Sequence, residues 1–384
     1  MRNRARAGGD DGIDEHEGRR SVDASAPSSP ATTVPRRVLI TGVSTFLGGE
    51  LARRLEERQD VEAIFGLDVA DPLLVLIRTE FVHADTRHSV INKLVRQLEL
   101  DTVVHCAVAV TGPLGARALH ETDVIGTMNV LAACAGEASP VRRVVVKSSV
   151  AVYGAEPSDP SFLREEHAGR APAHGHVQAD LLEMEQLVQD FAIRNRRTEV
   201  TVLRLGNRVG LRDFGPLARY FSLPAVPRFL GYDPRLQLLH EDDAVEALYR
   251  AVAAAHPGVF NVAGTGVLLL SQAIELAGKR QLPVLPPGGR WLSRLAVRAA
   301  TGLDLPAPIA EMLSSDLVVD CTKLRDEFGW LPGYDSKAAM LDFVNRSVEE
   351  AVEPRPPQPE EYELQAYLAR RRRSGRAVEA VTHR

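Results

Sequence analysis

The stretch RRVLITGVSTFLGGELARRL, from Arg36 to Leu55, decides how the rest of the chain is read. It opens with a short apolar strand (Val38 to Ile40), passes through a tight glycine turn, and enters a helix near Phe46. Strand, glycine turn and helix in that order form the first unit of a dinucleotide-binding sheet. Gly42 can take the backbone angles of the sharp turn, and Gly48 lets the helix lie close to the strand. The start of the helix then presents free N–H groups and a partial positive charge to a pyrophosphate.

Downstream, VEAIFGLDVADP reads as a second strand ending at Asp68, about twenty residues beyond Gly48, where such folds place the acid that holds the adenosine ribose. Nothing basic follows Asp68 in VADP, so a ribose 2′-phosphate would meet repulsion, which favours NAD over NADP. The competing reading of Asp68 is a loop aspartate that caps a turn. TEFVHADTRH gives a third short strand ending at Asp85, and HSVINKLVRQLEL has helical spacing. DTVVHCAVAV is an apolar run suited to a central parallel strand. ETDVIGTMNVLAACAG follows as a helix, and VRRVVVKSSVAVYG as a further buried strand. This alternation predicts an α/β fold: a doubly wound parallel sheet of the Rossmann type.

After Leu205 the regular alternation stops. Residues 206–350 read as a smaller mixed substrate lobe with returning strands, and residues 35–205 as the cofactor-binding domain. Within the lobe, Trp291, Leu292 and Leu295 suit a helix, and His240 with Asp242 and Asp243 suits a helix start. Residues 1–34 have hardly any large apolar side chains and are expected to be disordered. Residues 351–384 read as a proline-rich and then basic tail, ARRRRSGR, more solvated than engaged.

The 384 residues are 45% hydrophobic, enough for a full core, and their net charge of −5 recommends no nucleic-acid partner. Cys106, Cys134 and Cys321 have no metal-site or disulfide spacing, so no metal is expected. No apolar run approaches the ~18 residues of a spanning helix, and no secretory signal is apparent. A soluble, reduced, cytoplasmic protein is the expectation.

The motifs from Arg36 to Val344 resemble, in order, those of the extended short-chain dehydrogenase/reductases. The nearest likeness is the NAD-dependent epimerase/dehydratase branch typified by UDP-glucose 4-epimerase. The resemblance implies NAD as cofactor and a small-molecule substrate, such as a nucleotide sugar. Two helices often pair in this family, so a homodimer is one assembly the resemblance allows. TGVSTFLGG resembles the family's cofactor turn, which assigns Gly42, Thr45, Phe46, Leu47 and Gly48 to the pyrophosphate and Asp68 to the ribose. ADTR places Asp85 at the adenine, and HCAVAV places Ala107 along the cofactor. SSVAVYG puts the family's catalytic hydroxyl on Ser149, which could equally be a small residue packed at a strand end. LRLGNRVG gives Asn207 a role on the substrate phosphates, and Arg235 lies one residue from the family's phosphate-binding arginine. LLHEDDAVEAL and VVDCTKLRDEFGWLP resemble the closing motifs.

The departures lie where the family does its chemistry. Its Tyr-x-x-x-Lys pair falls on His176 or Val177 and on Asp180 or Leu181, and neither register restores the pair. His176 and Asp180, four apart on a helix, could stand in as an acid/base pair, or could simply be solvent-exposed. Thr45 replaces the middle glycine of the turn, where its bulk should crowd the pyrophosphate unless its hydroxyl bonds the phosphate. Asp123 replaces an asparagine and Leu205 a proline. Two functions follow from this pattern: a working epimerase, dehydratase or dehydrogenase, or a catalytically inactive dinucleotide-binding sensor or scaffold.

Overall fold

The computed structural model describes residues 37–109, 115–154, 159–170, 172–173, 175–213, 215–284 and 316–352. Residues 1–36, residues 353–384 and the segment around Trp291 lie outside the described residues.

Seven strands form one wholly parallel sheet in the order β11-β6-β5-β4-β1-β2-β3. In chain order they are β1 (Arg37–Thr41), β2 (Ala63–Asp68), β3 (Thr79–His83), β4 (Thr102–His105), β5 (Arg143–Ser149), β6 (Glu199–Leu205) and β11 (Gly258–Val262). Strand order reverses between β1 and β4, which opens a crevice at the carboxyl ends of those strands.

The pleat explains the two cores. Along β1, Leu39 points to one face, and Val38 and Ile40 point to the other. The Leu39 face is covered by α2 (Val90–Gln97), α4 (Gly126–Cys134) and α5 (His176–Arg194), through Ile91, Val95, Val130, Leu181 and Val188. The opposite face is covered by α1 (Phe46–Glu56) and α7 (Glu241–Ala253), through Leu47, Leu51, Leu55 and Leu248. His240 caps α7, its Nδ1 accepting from the Asp242 amide at 3.2 Å, and three acidic residues occupy the first turn.

Between β4 and β5 the chain forms α3 (Ala116–His120), a π turn (Glu121–Ile125) and then α4. The helix therefore begins earlier than its apolar spacing suggests, and the wide turn re-aims the side chains around Asp123.

A third apolar cluster is built only from residues from Val209 onward. Three two-stranded sheets supply it: β7 (Asn207–Val209) with β10 (Leu238–His240), β8 (Ala225–Phe229) with β13 (Arg280–Val284), and β9 (Arg235–Leu236) with β12 (Leu268–Leu269). Helices α6 (Pro216–Phe221), α8 (Leu270–Leu276) and α10 (Ser336–Val352) pack around them, while the short α9 (Thr322–Asp326) packs near β11.

Candidate functional site

The glycine turn between β1 and α1 is closely packed. Gly42 has φ +75°, and a Cβ there would lie 2.7 Å from the Ala107 nitrogen. A Cβ on Gly48 would lie 2.2 Å from the Gly42 carbonyl oxygen. Neither position can hold a side chain, because the obstacle in each case is backbone.

Thr45 is the N-cap of α1. Its hydroxyl donates to the Gly42 carbonyl at 2.7 Å and accepts from the Gly48 amide at 3.2 Å. The hydroxyl proton is thus committed within the turn and is not free for a phosphate. Phe46 and Leu47, the first two helical residues, have amides with no intrahelical acceptor. Asp68, at the end of β2, folds back onto this turn. One carboxylate oxygen accepts from the Ser44 amide (3.0 Å) and hydroxyl (2.5 Å), and the other accepts from Val69 N–H (2.7 Å). It therefore caps the turn and still keeps lone-pair capacity for a further donor. Asp85 is ion-paired with Arg87, which holds its carboxyl below the usual range.

Buried titratable groups cluster at the ends of β4 and β5. His105 bridges Thr41 (2.7 Å) and Thr127 (2.9 Å), and burial pushes its pKa down to about 3, so it is neutral. Lys147, within β5, is buried and donates to the Val108 carbonyl. Burial pushes its ammonium down to about 8. Asp123 accepts from the Ala109 amide at 2.8 Å, and burial pushes its carboxyl up to about 7. Ser149 ends β5, half-buried, with its hydroxyl accepting from the Ala151 amide at 3.2 Å.

Tyr153, in the turn after Ser149, serves the scaffold. Its hydroxyl donates to Asn261 at 2.6 Å and accepts from Arg204 at 2.8 Å, and burial pushes it up to about 12. Arg204 in turn pairs with buried Glu185 of α5 at 2.6 Å, and Glu185 accepts from Ser148 at 2.6 Å. This network ties α5 to β5 and β6.

At the head of α5, His176 is exposed, and Val177 and Leu181 pack against the core. Asp180 is buried, and its partner is His120 of α3 rather than His176. The His120 Nδ1–H donates to Asp180 Oδ1 at 2.7 Å. That bond raises the His120 pKa and fixes the tautomer that leaves Nε2 free. The second carboxylate oxygen, Asp180 Oδ2, is buried with no hydrogen bond to any described residue.

Asn207 opens β7, and Arg235 opens β9, where its Nε donates to Asp316 at 2.6 Å. Among the described residues no group of His, Cys, Asp and Glu could hold a metal ion, and no helix is long and apolar enough to cross a membrane.

Sequence reading did not find Ser44, His120 or Lys147. His120 gave no local signal, because its partner lies sixty residues away. Lys147 did give one, as a lysine inside the apolar run RVVVKSS.

Residues 38–263 match the family model described as the NAD dependent epimerase/dehydratase family. The chain belongs to that family. An uncharacterized protein of Mycobacterium tuberculosis (strain H37Rv) is 39% identical over 327 residues, covering 83% of this chain and 86% of that protein. Among solved structures, the UDP-glucose 4-epimerase of Thermotoga maritima with UDP-glucose has a TM-score of 0.63 at 17% identity. The match covers 81% of this chain and 99% of that one. The dTDP-glucose 4,6-dehydratase of Bacillus anthracis in complex with NAD has a TM-score of 0.61 at 16% identity, covering 82% and 97%. These likenesses place the fold among the family's epimerases and dehydratases.

NAD is the family's cofactor, and the turn fits it. Two glycines bring backbone close, two amides at the helix start have no intrahelical acceptor, and one carboxylate stands at the end of β2.

Proposed function

We propose that this chain is an NAD-dependent oxidoreductase of the epimerase/dehydratase kind that acts on a nucleotide sugar or a similar hydroxylated substrate. The carrying observation is the bond between His120 and the buried Asp180 at the head of α5. It supplies an acid/base pair in a family member whose Tyr-x-x-x-Lys positions hold no tyrosine and no lysine.

When bound, NAD supplies the hydride acceptor. The amides of Phe46 and Leu47 would hold its pyrophosphate in the space allowed by Gly42 and Gly48, with Thr45 shaping the turn. Asp68, Asp85 and Ala107 would line the adenosine and the crevice. His120, oriented by Asp180, would exchange a proton with the substrate hydroxyl through Nε2, and Ser149 would position that hydroxyl. Imidazole titrates near neutrality, so it can do this work without the nearby cation a phenol needs. Asn207 and Arg235 are the proposed contacts to the substrate's phosphates. A nucleotide sugar suits this set because similarly folded enzymes were solved with UDP-glucose and with UDP.

A second reading, a dinucleotide-binding protein without turnover, is favoured by one observation. Val177 and Leu181 are apolar and packed against the core where the family's pair would project. Incubating the NAD-loaded chain with a panel of UDP- and dTDP-sugars, followed by chromatography and mass spectrometry, decides between the two. Conversion of at least one sugar supports the enzyme. Bound NAD with no conversion supports the silent binder.

A further inference from the structure

Lys147 is an unusual residue for its position. It lies inside a parallel strand covered on both faces, and its side chain is buried. A buried ammonium has three donors to satisfy, and its one hydrogen bond to a described residue is to the Val108 carbonyl, just beyond β4. Lys147 and Ser149 are two apart on β5 and share a pleat face. Asp123 is a second buried charged group in the same region, and its own bond, from the Ala109 amide, is to the same stretch after β4. The two groups feel each other electrostatically, but no hydrogen bond joins them among the described residues. The ion pair of Arg208 and Asp213, at 2.5 Å, also acts on Lys147.

Burying both charges is costly unless something bonds them. A donor and an acceptor held near each other without touching suit a group that is itself acceptor and donor, such as a vicinal diol. Position along the sheet narrows the choice. Asp68, at the end of β2, marks the adenosine side of the crevice and the glycine turn after β1 marks the pyrophosphate, so the other half of a dinucleotide extends over β4 and β5.

We propose that Lys147 and Asp123 bracket the ribose diol of the nicotinamide half of bound NAD, the ammonium donating and the carboxylate accepting. The proposal rests on the reading of the turn as the NAD site, but it does not depend on which substrate is used.

Calorimetric titration with NAD and with ADP tests it, because ADP lacks the second ribose. Lys147→Met should weaken NAD binding at least about tenfold and leave ADP binding unchanged. Asp123→Asn, whose amide oxygen still accepts, should retain most of the NAD affinity. In the unsubstituted chain labelled with 13C-lysine, the Lys147 Cε resonance should shift on adding NAD and stay put on adding ADP. A Lys147→Met protein that binds NAD as tightly as the parent would overturn the proposal. So would equal losses for NAD and ADP, or a Lys147 resonance indifferent to NAD. Failure of the parent to bind either nucleotide would remove the NAD site itself, and this assignment with it.

Discussion

His120→Ala, Asp180→Asn and His176→Ala form a comparison in which only the first two should matter. Losing general acid–base help typically costs 10²- to 10⁴-fold in rate, and that range is expected for His120→Ala. His176→Ala should behave as the parent, since His176 is exposed and Asp180 bonds His120. Steady-state rates on one substrate check this ordering. Asp180 raises the His120 pKa above its ordinary 6.5, so a step that uses the neutral imidazole as base should accelerate as pH rises through that higher value. Asp123 gives a stability prediction of definite sign. Its folded pKa of about 7 lies above its ordinary 3.8, so ionising it costs stability progressively from pH 3.8 to 7 and fully above. Asp123→Asn should therefore stabilise the apo chain above pH 7, on the order of 1–4 kcal/mol, with the gain vanishing below pH 3.8. Denaturant titrations across that window measure it. The sequence identified Asp180 as a candidate but paired it by helical spacing. A periodicity argument sees one helix at a time, and the partner came from another.

At the level of elements, the β1 turn was the most legible part of the chain. An apolar strand, two glycines at fixed spacing and a helix leave few alternatives, and the obstacles around Gly42 and Gly48 supply the reason. Gly48→Ala should abolish NAD binding and destabilise the fold by about 1–3 kcal/mol or more, because its Cβ would meet the Gly42 carbonyl at 2.2 Å. Thr45 was harder to read. A β-branched residue in place of glycine suggested crowding or a phosphate contact, whereas its hydroxyl bonds both Gly42 and Gly48. Thr45→Ala should accordingly cost about 1 kcal/mol of stability, measurable by thermal or denaturant unfolding. The connection from β4 to β5 was the least legible. Its π turn has no sequence signature of its own, yet it follows directly on His120 and contains Asp123.

For the molecule as a whole, the parallel sheet and its reversal of strand order were implied by alternating strands and helices, because each apolar strand needs cover on both faces. The cluster built from Val209 onward was less readable, since its strands are short and pair across long connections. A ligand that binds only the folded chain stabilises it. NAD at about one hundred times its Kd should add about 2.7 kcal/mol, and NADP at equal concentration should add less, because Asp68 would face the 2′-phosphate. Equal melting-temperature shifts would detach Asp68 from the ribose. The central claim is that His120, held by Asp180, does the proton work in a member of this family without the Tyr–Lys pair. Its most direct test is single-turnover near-ultraviolet absorbance of NADH, with parent and His120→Ala proteins loaded with NAD and mixed with a nucleotide sugar. The account predicts formation of NADH in the parent and a rate at least about 10²-fold lower in His120→Ala, at unchanged NAD affinity. A His120→Ala protein as fast as the parent would contradict it.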